Sequence, residues 1–360
     1  MQSQILLALN AHPKIGSQSV KKMLAAFDGK PERLWTAKTD YLQKRLAPKL
    51  LALFLEARRD YDPETEAKKL NKANLGYVTY LDKEFPPLLA EAPDCPAVLY
   101  IKGEFSTVSE LGIAIVGSRK YSDYGKSVAY SFAKNIARNQ LVVFSGLALG
   151  IDSFAHRGAA EEGKTVGVLG CGVDQIYPSS NTELARKILD RGGAIVSEFP
   201  PGTPPLKYNF PLRNRIIAGL SLGTVVIEAA ESSGALITAL HALEYNRGVY
   251  AVPGNIDSPS SRGTNKLIQQ GAKLVLSPAE IYDDLNILSK TEESLSREII
   301  PETEEEKAIC EILASGEKYA DFIVAESGLN VITVNTTLTM MEMRGMVVNL
   351  GGGRYKKAGI

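Results

Sequence analysis

Between residues 75 and 285 the chain alternates short β-branched runs with helical stretches, and this alternation restricts the fold more than any other feature. The runs are GYVTYL, AVLYI, GIAIVG, LVVFSG, TVGVLG, GAIVSE, GTVVIEA, GVYAVPG and AKLVL, with patterns such as YGKSVAYSFAKNIARN and ALITALHALEYNR between them. Strands without polar alternation are buried on both faces, so the segment predicts an α/β fold whose parallel sheet is covered by helices on both sides. In such a sheet the loops after the strands gather along one edge, where ligands bind. Gly117-Ser118-Arg119, Ser145-Gly146, Gly170-Cys171-Gly172 and Ser197-Glu198 belong to that edge, and the loop 207–215 follows one of the strands.

The flanks read differently. Residues 1–70 carry ILLAL, SVKKMLAAF and LAPKLLALFLEARRDY, apolar at helical spacing, and predict a small helical domain. Its turn Pro13-Lys14-Ile15-Gly16 resembles a helix-hairpin-helix unit, where the Gly lets backbone amides approach a phosphate. A helical cap with a tight turn is the bland alternative. Residues 289–303 are polar and acidic and read as a linker. Residues 304–360 predict three helices and a hairpin, a winged helix, with the third helix ended by Gly345. That helix offers Thr333, Asn335, Thr336 and Thr337 but little positive charge before Arg344, so a protein–protein module is preferred to a DNA reader. The expected domains are therefore 1–70, 71–288, 289–303 and 304–360.

Formal net charge is zero, so any attraction to nucleic acid must come from local patches. Cys95, Cys171 and Cys310 are far apart and in no metal spacing, which fits a reducing compartment and no disulfide framework. With three His and no clustered ligands, no metal site and no cofactor are expected. The N-terminus lacks a signal-peptide pattern and no apolar run approaches the ~18 residues of a membrane span. The expectation is a cytoplasmic protein.

The richest stretch is KYNFPLRNR at 207–215. Lys207, Arg213 and Arg215, together with Arg119, supply cations for phosphates, and Tyr208 and Phe210 supply faces on which unpaired bases stack. No His or carboxylate lies among them to move protons. Arg213 and Arg215 are expected near a helix start, flanking Asn214, where two cations oppose the helix dipole unless an anion binds. The Gly117-Ser118-Arg119 turn joins a strand to a helix and suits a phosphate. Ser145-Gly146 is a turn of the same kind; Asp152 reads equally as a cap of the next helix or as a direct site residue, and His156 is expected to be a packed histidine rather than a base. Glu228, at a strand end, reads as a catalytic carboxylate or as a group orienting Arg213 or Arg215, the second being preferred. One motif is a decoy. The stretch 158–165 matches the phosphate-loop pattern G-x4-G-K-T, but it reads as a helix end followed by a strand, the reverse of what that mechanism needs.

Taken in order, these motifs resemble the DNA-processing DprA (Smf) family over essentially the whole chain. The elements are AIVGSR at 114–119, SGLALGID at 145–152 with His156, VLGCG at 168–172 with Asp174 and Tyr177-Pro178, SEFP at 197–200, FPLRNRIIAG at 210–219, Glu228 with Ser233-Gly234, and AVPG at 251–254. The resemblance implies an extended Rossmann-like sheet, an N-terminal helix-hairpin-helix/SAM-like domain and a C-terminal winged helix. It implies a homodimer that binds single-stranded DNA, protects incoming DNA in natural transformation and loads RecA recombinase, without enzymatic activity. The family's binding motif falls on Gly117, Ser118, Arg119, Lys207, Phe210, Arg213, Asn214 and Arg215, with Phe210 as the stacking residue; Ser145 and Gly146 join this list from their place on the sheet edge. The same Rossmann variant also resembles nucleotide phosphoribohydrolases of the "lonely guy" type. Their Pro-Gly-Gly-x-Gly-Thr-x-x-Glu loop is missing here, where the strand end reads EAAESSG from Glu228.

Overall fold

The computed structural model describes residues 1–287, 303–314, 316–344 and 346–357. The expected linker 289–303, apart from Thr303, and the expected helix stop Gly345 lie outside the described residues.

Nine strands form the main sheet among the described residues: β1 (Gly76–Thr79), β2 (Val98–Gly103), β3 (Gly112–Val116), β4 (Val142–Ser145), β5 (Thr165–Val168), β6 (Ala194–Ser197), β7 (Gly223–Val226), β8 (Gly248–Ala251) and β9 (Lys273–Leu274). Their order is β1-β2-β6-β5-β4-β3-β7-β8-β9. From β6 to β9 every pairing is parallel. The two outer strands differ from the parallel expectation: β2 runs antiparallel to β6, and β1 antiparallel to β2. Between β1 and β2 the chain forms only the short helix Pro87–Ala90, and such a connection need not return the chain to the same end as a full crossover helix would.

Strands β3 to β7 are buried at every position. Alternate residues face opposite sides. Ile113 and Ile115 pack with Phe132 and Ile136 of the helix Asp123–Arg138, while Ala114 and Val116 pack with Ile216 and Ile217 of the helix Asn209–Leu220. The helix Ile151–Glu162 crosses Asp123–Arg138 at Gly158, where a Cβ would stand 2.2 Å from the Tyr130 carbonyl oxygen. Gly163 then ends that helix and Thr165 opens β5, so the G-x4-G-K-T stretch runs from helix to strand as the sequence indicated.

Residues 1–287 form one compact unit. Its N-terminal helices, from Gln2–Ala11 to Pro63–Lys72, share an apolar cluster with the sheet edge, Leu6, Leu9 and Phe54 meeting Val98 and Tyr100. Residues 288–360 form the second unit. Its helices Glu304–Leu313, Ala320–Ser327 and Val331–Met343 enclose Ile309, Leu313, Ile323, Val334 and Leu338. The hairpin of β11 (Val347–Gly351) and β12 (Arg354–Lys357) is joined by a short β10 (Lys318–Tyr319), which the sequence reading did not foresee. Thr303 accepts from the Glu306 N–H at the first helix and Asn330 from the Thr333 N–H at the third, satisfying donors that a helix start leaves open.

Candidate nucleic-acid interface

Strand β3 lies between β4 and β7, and the chain departs in opposite directions from β3 and β7. A crevice opens where two such loops diverge. Here it measures about 950 Å³ and is bounded by Gly117, Ser118 and Arg119 after β3, Ser232, Ser233 and Gly234 after β7, and Lys207, Phe210 and Asn214 from above. Four cations, Arg119, Lys120, Lys207 and Arg213, line it against one carboxylate, Asp152. The helix Ala235–Glu244 begins beside the crevice, so its positive end adds to that field.

The rim is open and preformed. Arg119 and Lys207 are exposed. The Arg119 guanidinium stands 5.5 Å from the Phe210 ring centroid, and the Tyr177 ring lies 5.6 Å from that of Phe210. Phe210 rests on Gly170, where a Cβ would come within 2.9 Å of its ring; no larger residue leaves space for the aromatic. Ser118 holds its turn, donating through Oγ to the Lys120 carbonyl and accepting from the Lys120 N–H. Gly117 lets that turn press on Ile151, which a Cβ would meet at 2.7 Å. Asn214 donates to the Gly234 carbonyl and accepts from Arg213 Nε, tying the two sides of the crevice.

Beneath the rim is a closed polar floor. Arg213 is 3% exposed and donates to the carbonyls of Gly146 (2.7 Å) and Val168, which end β4 and β5. Burial holds its guanidinium down at about 10, still charged at neutral pH, and the nearby Arg119 charge acts in the same direction. A Cβ at Gly146 would stand 2.5 Å from the guanidinium and force it to shift. Ser145 is fully buried and donates to the Ile115 carbonyl, so it stitches β4 to β3 and does not face the crevice. Asp152 is buried in the first turn of its helix and accepts from the Gly146 N–H rather than capping the helix; burial raises its carboxyl, opposed by the Arg213 charge. His156 is fully buried, accepts the Leu147 N–H at Nε2 and meets the Thr165 hydroxyl at Nδ1, and burial pushes it down to about 3. It is the packed histidine expected.

Three expectations need correction. The helix carrying Arg213 and Arg215 begins at Asn209, so both arginines lie in its second turn and not at its start. Arg215, two positions beyond Arg213, points the other way. Its guanidinium pairs with Glu198 at 2.6 Å and lies 3.6 Å from Asp94, outside the crevice. Glu228 orients neither arginine. It accepts from the Ser122 N–H and hydroxyl and from the Ser260 hydroxyl, so it anchors the helix Asp123–Arg138 and the loop 258–260. The sequence reading did not count Lys120, Ser260 or Tyr177 among the site residues, although it noted Tyr177-Pro178 as a motif. For Tyr177 the available signal was an aromatic before Pro178 in the loop after β5.

The family described as DNA recombination-mediator protein A matches residues 76–286, and the DprA winged helix domain matches 293–353. The chain belongs to this family of DNA-processing proteins. It is 40% identical to Protein Smf of Escherichia coli over 280 residues, covering 76% of this chain and 75% of that protein. It is likewise 40% identical over 231 residues to DNA processing protein DprA of Streptococcus pneumoniae, covering 64% and 80%. The crystal structure of the Streptococcus pneumoniae protein superposes with a TM-score of 0.70 at 34% identity, covering 79% of this chain and 98% of that one. A Helicobacter pylori DNA processing protein A, described for its single-stranded DNA binding mode, superposes at 0.53 with 29% identity over 58% and 95%. No helix among the described residues is long and apolar enough to cross a membrane, and no cluster of three or more potential metal ligands occurs among them.

Proposed function

We propose that the protein is a non-enzymatic recombination mediator that holds single-stranded DNA in the crevice between β3 and β7. The observation that carries this reading is Phe210, an aromatic set at the mouth of a cationic crevice with Arg119 beside its ring. Bases stack on such a ring while Arg119 and Lys207 take the phosphates, and neither contact depends on sequence. The single-stranded DNA binding of the Helicobacter pylori relative supports the reading. Enzymatic hydrolysis has less support: Asp152 is buried against backbone, His156 is closed off, and Glu228 is held by two serines. Natural transformation and loading of RecA recombinase are the biological setting we assign. A homodimer through the helix Ala235–Glu244 fits its exposed Ile237, Leu240 and Leu243, and two crevices in one particle would gain avidity on one strand.

Fluorescence anisotropy of a short labelled single strand against a matched duplex tests the reading. Salt-sensitive preference for the single strand, lost in Lys207→Ala/Phe210→Ala, is expected. No binding by the wild type, or base release from nucleoside monophosphates, would overturn it.

A further inference from the structure

The crevice holds a second exposed aromatic to which that reading gives no task. Tyr177, in the loop after β5, is 42% exposed and lines both the crevice and a small recess at its mouth. Arg119, Leu149 and Phe210 line the same recess. Leu149, in the loop after β4, is itself 50% exposed. Large apolar side chains gathered at one open mouth mark a binding face, where single exposed ones would not. Tyr121, the remaining aromatic of the crevice wall, packs edge-on against Phe154 at 4.8 Å and stands apart from this group.

The Tyr177 and Phe210 ring centroids are 5.6 Å apart, with their planes 37° from parallel. A base inserted between two rings needs twice the stacking distance, about 7 Å, so none is sandwiched here. Each ring instead offers its own surface, and Arg119 stands beside the pair, 5.5 Å from the Phe210 centroid. Resting on the single-strand reading, we infer that Tyr177 is a second base platform, taking the base that neighbours the one on Phe210. Arg119 then serves the phosphate between the two bases. The strand leaves the crevice across the loops after β4 and β5, where Leu149 and Tyr177 lie, and not past Ser232, Ser233 and Gly234 after β7, which offer no ring. Two bases laid on separate, tilted rings are not stacked on each other, whereas a duplex holds successive bases about 3.4 Å apart. Tyr177 thereby favours single over double strand. Arg119 and Lys207 do not supply that preference, because they meet the phosphates of either form.

The test uses the full chain, the shortest oligothymidylate that binds at full affinity, and a duplex of the same length. Tyr177→Leu keeps apolar bulk and removes the flat face. It should cost about ten-fold in single-strand affinity, leave the salt slope alone and spare the duplex. Tyr177→Phe, which restores a face, should recover most of the loss. If Tyr177→Leu lowers the melting midpoint, photocrosslinking of the wild type decides: an oligothymidylate carrying iodouracil should join to Tyr177 as well as to Phe210. Unchanged affinity in Tyr177→Leu, an equal loss on single strand and duplex, or crosslinks at Phe210 without any at Tyr177 would overturn the second platform and leave the single-strand reading standing. No single-strand binding by wild type overturns both.

Discussion

The floor and the rim of the crevice are built from similar residue types and do opposite things with them. On the floor, Arg213, Asp152, Ser145 and His156 are buried, and their hydrogen bonds close on the ends of β3, β4 and β5. On the rim, Arg119, Lys207 and Phe210 leave charge and ring surface open. Arg213 and Arg119 show the contrast best: one satisfies the sheet's own carbonyls, the other is exposed. A cationic residue in a binding motif can thus serve the ligand directly or hold the scaffold under it, and burial tells which.

Mutations should separate the two layers. Arg213→Ala strands Asp152 in the interior and frees two carbonyls, at a cost of about 3–5 kcal/mol read from the urea midpoint. A small stability change with a large loss of DNA affinity would instead put Arg213 on the rim. His156 gives the floor a pH signature. Its folded pKa, about 3, lies below the unfolded value of 6.5, so the unfolded chain binds the extra proton between them. Stability should fall as pH drops through that window, with a contribution approaching about 1.4 kcal/mol per pH unit, and His156→Gln should flatten the slope. On the rim, Phe210→Ala should weaken single-strand binding by about 1–3 kcal/mol while moving the melting midpoint far less than Arg213→Ala does. Arg119→Ala is the smallest effect: the slope of log affinity against log salt should fall by about one, with stability unchanged. If both slope and affinity stay put, Arg119 is not part of the site.

Much of this was legible in the sequence, for identifiable reasons. The apolar runs placed the strands because burial on both faces removes polar alternation, and the Gly-rich turns placed the crevice because the edge after parallel strands is where such loops meet. The antiparallel β1 and β2 were not legible, since the runs GYVTYL and AVLYI carry no mark of direction. The inward turn of Arg215 could have been read. Two residues along a helix is slightly more than a half-turn, so Arg213 and Arg215 cannot share a face once FPLRNRIIAG is taken as one helix. The error lay in placing the helix start near these arginines instead of at Asn209. The partners of Glu228 were out of reach, because Ser122 and Ser260 lie 106 and 32 positions away from it in the chain.

Glu228 has one further consequence. Its carbonyl accepts the Ser118 N–H and its carboxylate accepts Ser122, so one residue clamps both ends of the short loop that carries Arg119. A loop fixed at both ends has little conformational freedom left to lose when a phosphate arrives. The ordering cost is met during folding, at a residue that never touches the strand. Loosening the clamp should therefore weaken binding through entropy, leaving every direct contact in place.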